Sequence, residues 1–203
     1  ELENTLVALN KMNISKIFFY DLAVLNICKR LGIKKDLVIF QEHLNTSIYS
    51  NHFWKKNGVK YTVISNDITK EEINEISPTM PLMLISYGYI PIFYSRRYLI
   101  TNYLNYIHEN KEKGHYYIKN KEDKYPIVEE EYGTTIYTKE PINLINEIKN
   151  IKVEYLILNS TLIENKVFLS TLDQYLKEEE DNRKHYTGFL NEKTIYRVGD
   201  KNQ

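Results

Sequence analysis

Polar side chains that close short apolar runs are the first places to look for chemistry in this sequence. Asp21 follows Ile17-Phe18-Phe19-Tyr20, Gln41 and Glu42 follow Leu37-Val38-Ile39-Phe40, Asn66 and Asp67 follow Tyr61–Ser65, and Tyr87 follows Leu82–Ser86. If the runs are parallel strands of a barrel, these residues sit at successive carboxyl ends and point into one mouth, where such folds carry their chemistry. Glu42 and Asp67 are the carboxylates singled out as catalytic candidates. Asp21 and Asp67 have a second reading, because each precedes a helical stretch whose first N–H groups a carboxylate caps. Ser95-Arg96-Arg97 holds the densest pair of cations. Two guanidinium groups just after a strand suit bidentate binding of a phosphate or carboxylate, so Arg96 and Arg97 are the substrate-binding candidates; a solvated helix start is the alternative. Glu129-Glu130-Glu131 sets three carboxylates in a row. On alternating strand faces they do not converge, and a solvated hairpin edge is expected.

Other chemistries leave no signature. HExxH is absent, and His108-Glu109 and His115, the nearest approach to it, are separated by a Lys-rich stretch with Gly114. Solvated polar residues are expected there, and no metal site. GxSxG is absent, so no nucleophile elbow is visible; a Ser-His-Asp triad stays open because geometry alone reveals it. GxGxxG and GxxxxGK[ST] are absent as well, which removes the phosphate-cradling turns of nucleotide folds. Cys28 is the single cysteine. It cannot form an internal disulfide, a Cys-only zinc site or a four-thiolate cluster, and its place on an apolar helical stripe marks it as a small buried hydrophobe.

The elements that must position these residues follow from the pattern. Lys plus Arg and Asp plus Glu are both 27 in 203 residues, so no overall field favours nucleic acid or an anionic membrane, although a local patch stays possible. Cysteine poverty and the lack of a signal-peptide pattern lead to an expected cytoplasmic location, and no apolar run reaches the roughly 18 residues of a membrane span. Val24, Ile27, Cys28 and Leu31 form a helical stripe stopped by Gly32, a further helix runs through Tyr49, Phe53 and Trp54, and Thr69 with Glu72 forms a capping box. Strand and helix thus alternate through Ser86, which predicts βαβ units and a parallel sheet. Beyond Gly88 the sequence predicts a helix over 96–107, a solvated loop over 111–124, a hairpin over 125–137, a short helix over 142–149, a strand over 153–158, a helix over 165–180 and a strand-like Thr194–Val198. The chain begins at Glu1 partway into a helical pattern, as a processed or truncated product would.

The run Tyr87-Gly88-Tyr89-Ile90-Pro91-Ile92-Phe93-Tyr94-Ser95-Arg96-Arg97-Tyr98-Leu99 resembles the signature of peptidase family U32, the collagenase-like peptidases of unassigned catalytic type. Residues 51–59, 64–76, 125–136, and Thr187-Gly188-Phe189 with Thr194-Ile195-Tyr196 resemble further segments of that family, in the same order. The resemblance implies an α/β fold: a parallel (β/α) barrel of TIM type lacking its N-terminal units, with a small antiparallel hairpin insertion. As one domain over 1–203, it would hold barrel units at 1–108 and 138–180, the loop and hairpin at 109–137, and a tail at 181–203.

Full members of the family hold an iron–sulfur cluster on four cysteines. Two of those positions fall on Pro91 and Tyr98, and no cysteine lies between Asn102 and Tyr125, so no cofactor is expected. Tyr87 stands where the family has His, Asn66 where it often has Arg, and Asp67 where it has Glu, while Arg97 matches the signature arginine and Glu42 an acid of the short branch. That cysteine-poor branch is similar to the smaller of two paired family members associated with hydroxylation of the tRNA wobble uridine. The resemblance therefore implies a cluster-less subunit supporting that modification, with a cysteine-containing paralogue and tRNA as partners. Collagenase-like proteolysis and an inactive truncated member are the alternatives, and whether the chain is itself an enzyme stays open.

Overall fold

The computed structural model describes residues 1–41, 43–112 and 114–192. In chain order the elements are α1 (Leu2–Lys11), β1 (Lys16–Phe19), α2 (Leu22–Leu31), β2 (Asp36–Phe40), α3 (Ile48–Lys56), β3 (Tyr61–Val63), α4 (Lys70–Ile76), β4 (Leu82–Gly88), β5 (Pro91–Ser95), α5 (Leu99–Tyr106), β6 (Tyr116–Asn120), β7 (Asp123–Glu130), β8 (Gly133–Tyr137), β9 (Ile142–Asn143), β10 (Tyr155–Leu158) and α6 (Asn165–Lys177). They group into two compact units. The first holds residues 1–86, 146–157 and, of those described, 187–192; the second holds 87–145 and 158–186. No helix among the described residues is long and apolar enough to cross a membrane.

The first unit is the alternating part of the sequence. Its strands lie in the order β1-β2-β3-β4-β10. The first three neighbouring pairs are parallel, with Phe19 opposite Ile39, Thr62 opposite both Ile39 and Leu82, and Val63 opposite Met83. Leu37, Val38 and Ile39 are all buried, so β2 is covered on both faces, as a central parallel strand must be. Each such side chain contributes about 1.5–3 kcal/mol by leaving water. The helices start where the sequence says they should. Asp21 accepts the Ala23 N–H at 2.8 Å, Ser47 accepts that of Ser50 at 3.2 Å, and Thr69 and Glu72 bond reciprocally. Gly32 ends α2 in the left-handed region (φ 62°), where a Cβ would be strained. Among the described residues β1 and β10 end the strand path, so the fold is mixed α/β with a parallel sheet, and no ring closure is seen.

The second unit carries an antiparallel sheet in the order β5-β8-β7-β6. The β7–β8 hairpin matches the sequence reading, but the expected loop over 111–124 contains β6, whose five residues all pair with β7. Four of those five are exposed, so β6 has no buried stripe to signal a strand and is held chiefly by its pairing with β7. Ile100, Leu104 and Ile127 form the core beneath, with Ile107, Tyr116 and Ile136 packed against it. The helix expected from Arg96 begins at Leu99. The helix expected over 142–149 is instead the strand β9, paired with Tyr87 and Gly88, followed by a single 3-10 turn at Ile148–Asn150. Ile142, Leu144 and Ile145 are buried at a spacing that imitates a helix, but the Asn143 side chain takes the Ile145 N–H and turns the chain there. The strand-like Thr194–Val198 lies outside the described residues.

Candidate functional site

At the carboxyl ends of the first unit's strands, each polar residue has a distinct job. Asp21 is the α2 cap. Gln41 donates its amide to the Tyr20 C=O at 3.3 Å and Asn66 donates to the Ile85 C=O at 2.8 Å, so both amides tie neighbouring strand ends together. Glu42 lies outside the described residues. Asp67 is not the cap of α4, since Thr69 takes that role. Its Oδ2 instead sits 2.6 Å from Nδ1 of His43 and accepts the Ser65 hydroxyl at 3.2 Å.

His43 is the site residue that sequence reasoning missed. An ionised carboxylate only accepts, so Nδ1 carries the proton and Nε2 is left as the basic nitrogen. The two side chains are 42% and 40% exposed, which leaves that nitrogen reachable from solvent. The pair can hold or pass a proton, or accept a hydrogen bond from a docked group. It does not complete a nucleophilic triad with Ser65. Ser65 is buried, and its hydroxyl faces Asp67, whereas a triad needs the imidazole in the middle. Beneath the pair lies Asn45, 1% exposed, which accepts the Trp54 indole N–H at 3.1 Å and donates to the Val63 C=O at 3.2 Å. Its own C=O accepts the Ser65 N–H, so the loop carrying His43 and the turn carrying Asp67 share one buried anchor.

In the second unit, Arg96 and Arg97 form the turn between β5 and α5. Both are exposed, and neither guanidinium touches a carboxylate among the described residues. A cation ahead of a helix N-terminus gains nothing from the helix dipole, so these charges do not serve α5. Their backbone is fixed. The Arg97 N–H donates to the Ser95 hydroxyl at 3.2 Å, and Thr134 Oγ donates to the Arg97 C=O at 2.7 Å while accepting the Leu99 N–H at 3.0 Å. Gly133 lies so close that a Cβ there would meet the Ser95 carbonyl oxygen at 2.1 Å. Tyr94 and Tyr98 donate their hydroxyls to the C=O groups of Tyr132 and Glu131, at 2.7 and 2.8 Å.

Of the three consecutive carboxylates, Glu130 and Glu131 are exposed as expected, but Glu129 is not on a solvated edge. Its side chain is 3% exposed and accepts the Thr101 N–H at 3.0 Å, the Thr101 hydroxyl and the Lys111 ammonium at 2.9 Å. Burial pushes its carboxyl up, but the bonds from Thr101 and Lys111 outweigh burial, and its pKa lies below the ordinary glutamate value. Glu129 thus caps α5 from a neighbouring strand.

The positions where the resemblance puts cluster ligands do not suit a thiolate-held cluster. Pro91 offers no donor atom, and the Tyr98 hydroxyl is committed to a carbonyl. Cys28 is buried in α2, where desolvation raises its thiol pKa. His108, Glu109, Glu112 and His115 line one cleft with Tyr116, yet no three His, Cys, Asp or Glu side chains among the described residues are arranged to hold a metal ion.

The sequence model of Peptidase family U32 matches residues 1–191. The chain is also similar to the tRNA hydroxylation protein P2 of Bacillus subtilis (strain 168), 26% identical over an alignment that spans 97% of this chain and 76% of that protein. No solved structure matches.

Proposed function

The chain belongs to peptidase family U32, and on that premise we propose that it is a subunit without a cluster of its own in a system that hydroxylates the wobble uridine of tRNA. The observation that carries this reading is the likeness, across 97% of the chain, to a protein named for tRNA hydroxylation. Pro91 and Tyr98 support the cluster-less half of it, because neither side chain supplies a thiolate. The redox chemistry then belongs to a cysteine-containing paralogue, and this chain completes or positions the active complex in the cytoplasm. Its parallel sheet is part of a (β/α) barrel, with Asp67 at the mouth, and Arg96 and Arg97 contact RNA phosphate. His43, oriented by Asp67, presents Nε2 at that mouth as a hydrogen-bond acceptor for a substrate or partner group. Proteolysis finds less support: Ser65 faces Asp67 rather than the imidazole.

The test is genetic and chemical. Deleting the gene lowers the hydroxylated wobble uridine in digested tRNA, read by mass spectrometry, and the tagged chain co-purifies with the paralogue. His43→Gln and Asp67→Asn, returned on a plasmid, each restore modification less well than the wild type, by roughly fivefold to tenfold, the worth of one oriented hydrogen bond of about 1 kcal/mol. Unchanged modification in the deletion strain overturns the reading.

A further inference from the structure

We propose that the β5–α5 turn of the second unit is a platform for unpaired RNA nucleotides, in which the rings of Tyr94, Tyr98 and Tyr132 stack on bases while Arg96 and Arg97 take the flanking phosphates. This deepens the tRNA reading and rests on it for the kind of RNA, but its evidence is separate. Three tyrosines, 55%, 47% and 77% exposed, converge on one turn. Two of them are tethered through their hydroxyls to the backbone of the third and of its neighbour, Glu131. The tethers fix ring position and leave ring area open, so little side-chain freedom is lost when a base stacks. Gly133, pressed against Ser95 and Arg96, holds the aromatic turn beside the arginines.

The chemistry selects single-stranded RNA over the rivals. A duplex hides its base faces and offers mainly phosphates, of which two arginines neutralise few. An acidic peptide would satisfy the guanidinium groups but leave three rings unused. Glu130 and Glu131, the exposed acids of the same turn, repel either anion. Those acids reduce the local positive potential, so affinity must come from stacking as well as charge.

The experiment uses the full chain with a fluorescent RNA stem-loop and a blunt RNA duplex of equal length, read by anisotropy over a salt series. The stem-loop binds more tightly than the duplex. Tyr132→Ala weakens stem-loop binding on the order of tenfold and leaves the salt slope unchanged. Arg96→Ala with Arg97→Ala also weakens binding and reduces the slope of log affinity against log salt by about 1.4, from ~0.7 per phosphate on a single strand. Glu130→Gln with Glu131→Gln tightens it. Equal binding of duplex and stem-loop, no binding of either, wild-type affinity in Tyr132→Ala, or displacement of RNA by polyglutamate overturns the platform. The outcomes separate from those of the tRNA reading. If deletion of the gene lowers tRNA hydroxylation but the chain does not prefer the stem-loop, the platform falls alone. If the chain prefers the stem-loop but deletion leaves hydroxylation intact, the tRNA reading falls and the platform stands.

Discussion

Replacing Glu129 by Gln tests whether a buried charge, rather than sequence-local capping, holds α5 in place. The amide is nearly isosteric and keeps one acceptor oxygen, so packing is preserved. What it loses is the charge on a side chain 3% exposed that accepts from the Thr101 N–H, the Thr101 hydroxyl and Lys111. A hydrogen bond to a charged group is worth about 1.5–3 kcal/mol. Lys111 is 46% exposed, so its share is screened and small. The amide oxygen keeps one of the two Thr101 bonds, its nitrogen cannot accept the other, and a net loss of about 2 kcal/mol follows. For a chain of this length that lowers the melting midpoint by about 4–8 °C. The pH dependence gives a second readout. The folded carboxyl has a depressed pKa, so its contribution is fully present above the unfolded glutamate value of about 4.3 and fades as the pH falls through the folded one. Melts followed by circular dichroism should show the gap between wild type and variant at pH 7 and its narrowing in acid. A variant that melts with the wild type at pH 7, or a gap that persists in strong acid, refutes the assignment.

Two further substitutions test the scaffolds of the two sites. Asn45→Ala removes the acceptor of the buried Trp54 indole N–H and one donor to the Val63 C=O in the core of the first unit, a loss of about 1–3 kcal/mol. Trp54 is the single tryptophan, so a urea titration by fluorescence reads it directly, and a wild-type midpoint would show that the anchor contributes nothing. Gly133→Ala puts a methyl group 2.1 Å from the Ser95 carbonyl oxygen at a φ of 142°, which costs about 3 kcal/mol and displaces the turn that carries Tyr132. An equilibrium denaturation curve superimposable on that of the wild type contradicts it.

The parallel half of the fold was legible because buried strands and amphipathic helices alternate, and because Asp21 and Gly32 mark the two ends of α2 and the Thr69–Glu72 box the start of α4. What the sequence hid are features set by distant partners. β6 is exposed on four of its five residues, so only its pairing with β7 reveals it. Ile142, Leu144 and Ile145 read as a helical stripe because burial alone does not say whether a chain turns. At the site, Asp67 stood out by its place after a strand, but His43 did not: its significance comes from a carboxylate 24 residues away. Glu129 was read as solvated for the same reason, since the Thr101 and Lys111 that bury its charge lie well upstream. Arg96 and Arg97 were visible as a pair between Tyr94 and Tyr98, yet Tyr132 is brought beside them only by the fold, through the β5–β8 pairing of Ser95 with Thr134 and the hydroxyl bonds of Tyr94 and Tyr98.

Position 98 shows how the β5–α5 turn is ordered without a thiol. Tyr98 stands where the resemblance puts a cluster thiolate. A metal ligand at that point would brace the β5–α5 turn through the ion; Tyr98 braces it through its hydroxyl on the Glu131 carbonyl. Pro91, at the other ligand position, opens a strand at the edge of the antiparallel sheet, where a missing N–H costs no ladder bond and discourages pairing with another chain. Both residues therefore do structural work that a free cysteine could not do. The turn still presents two guanidinium groups that meet no carboxylate among the described residues, and three exposed rings. On the proposal above, that is a surface held in shape by hydroxyl–carbonyl bonds and open to RNA bases.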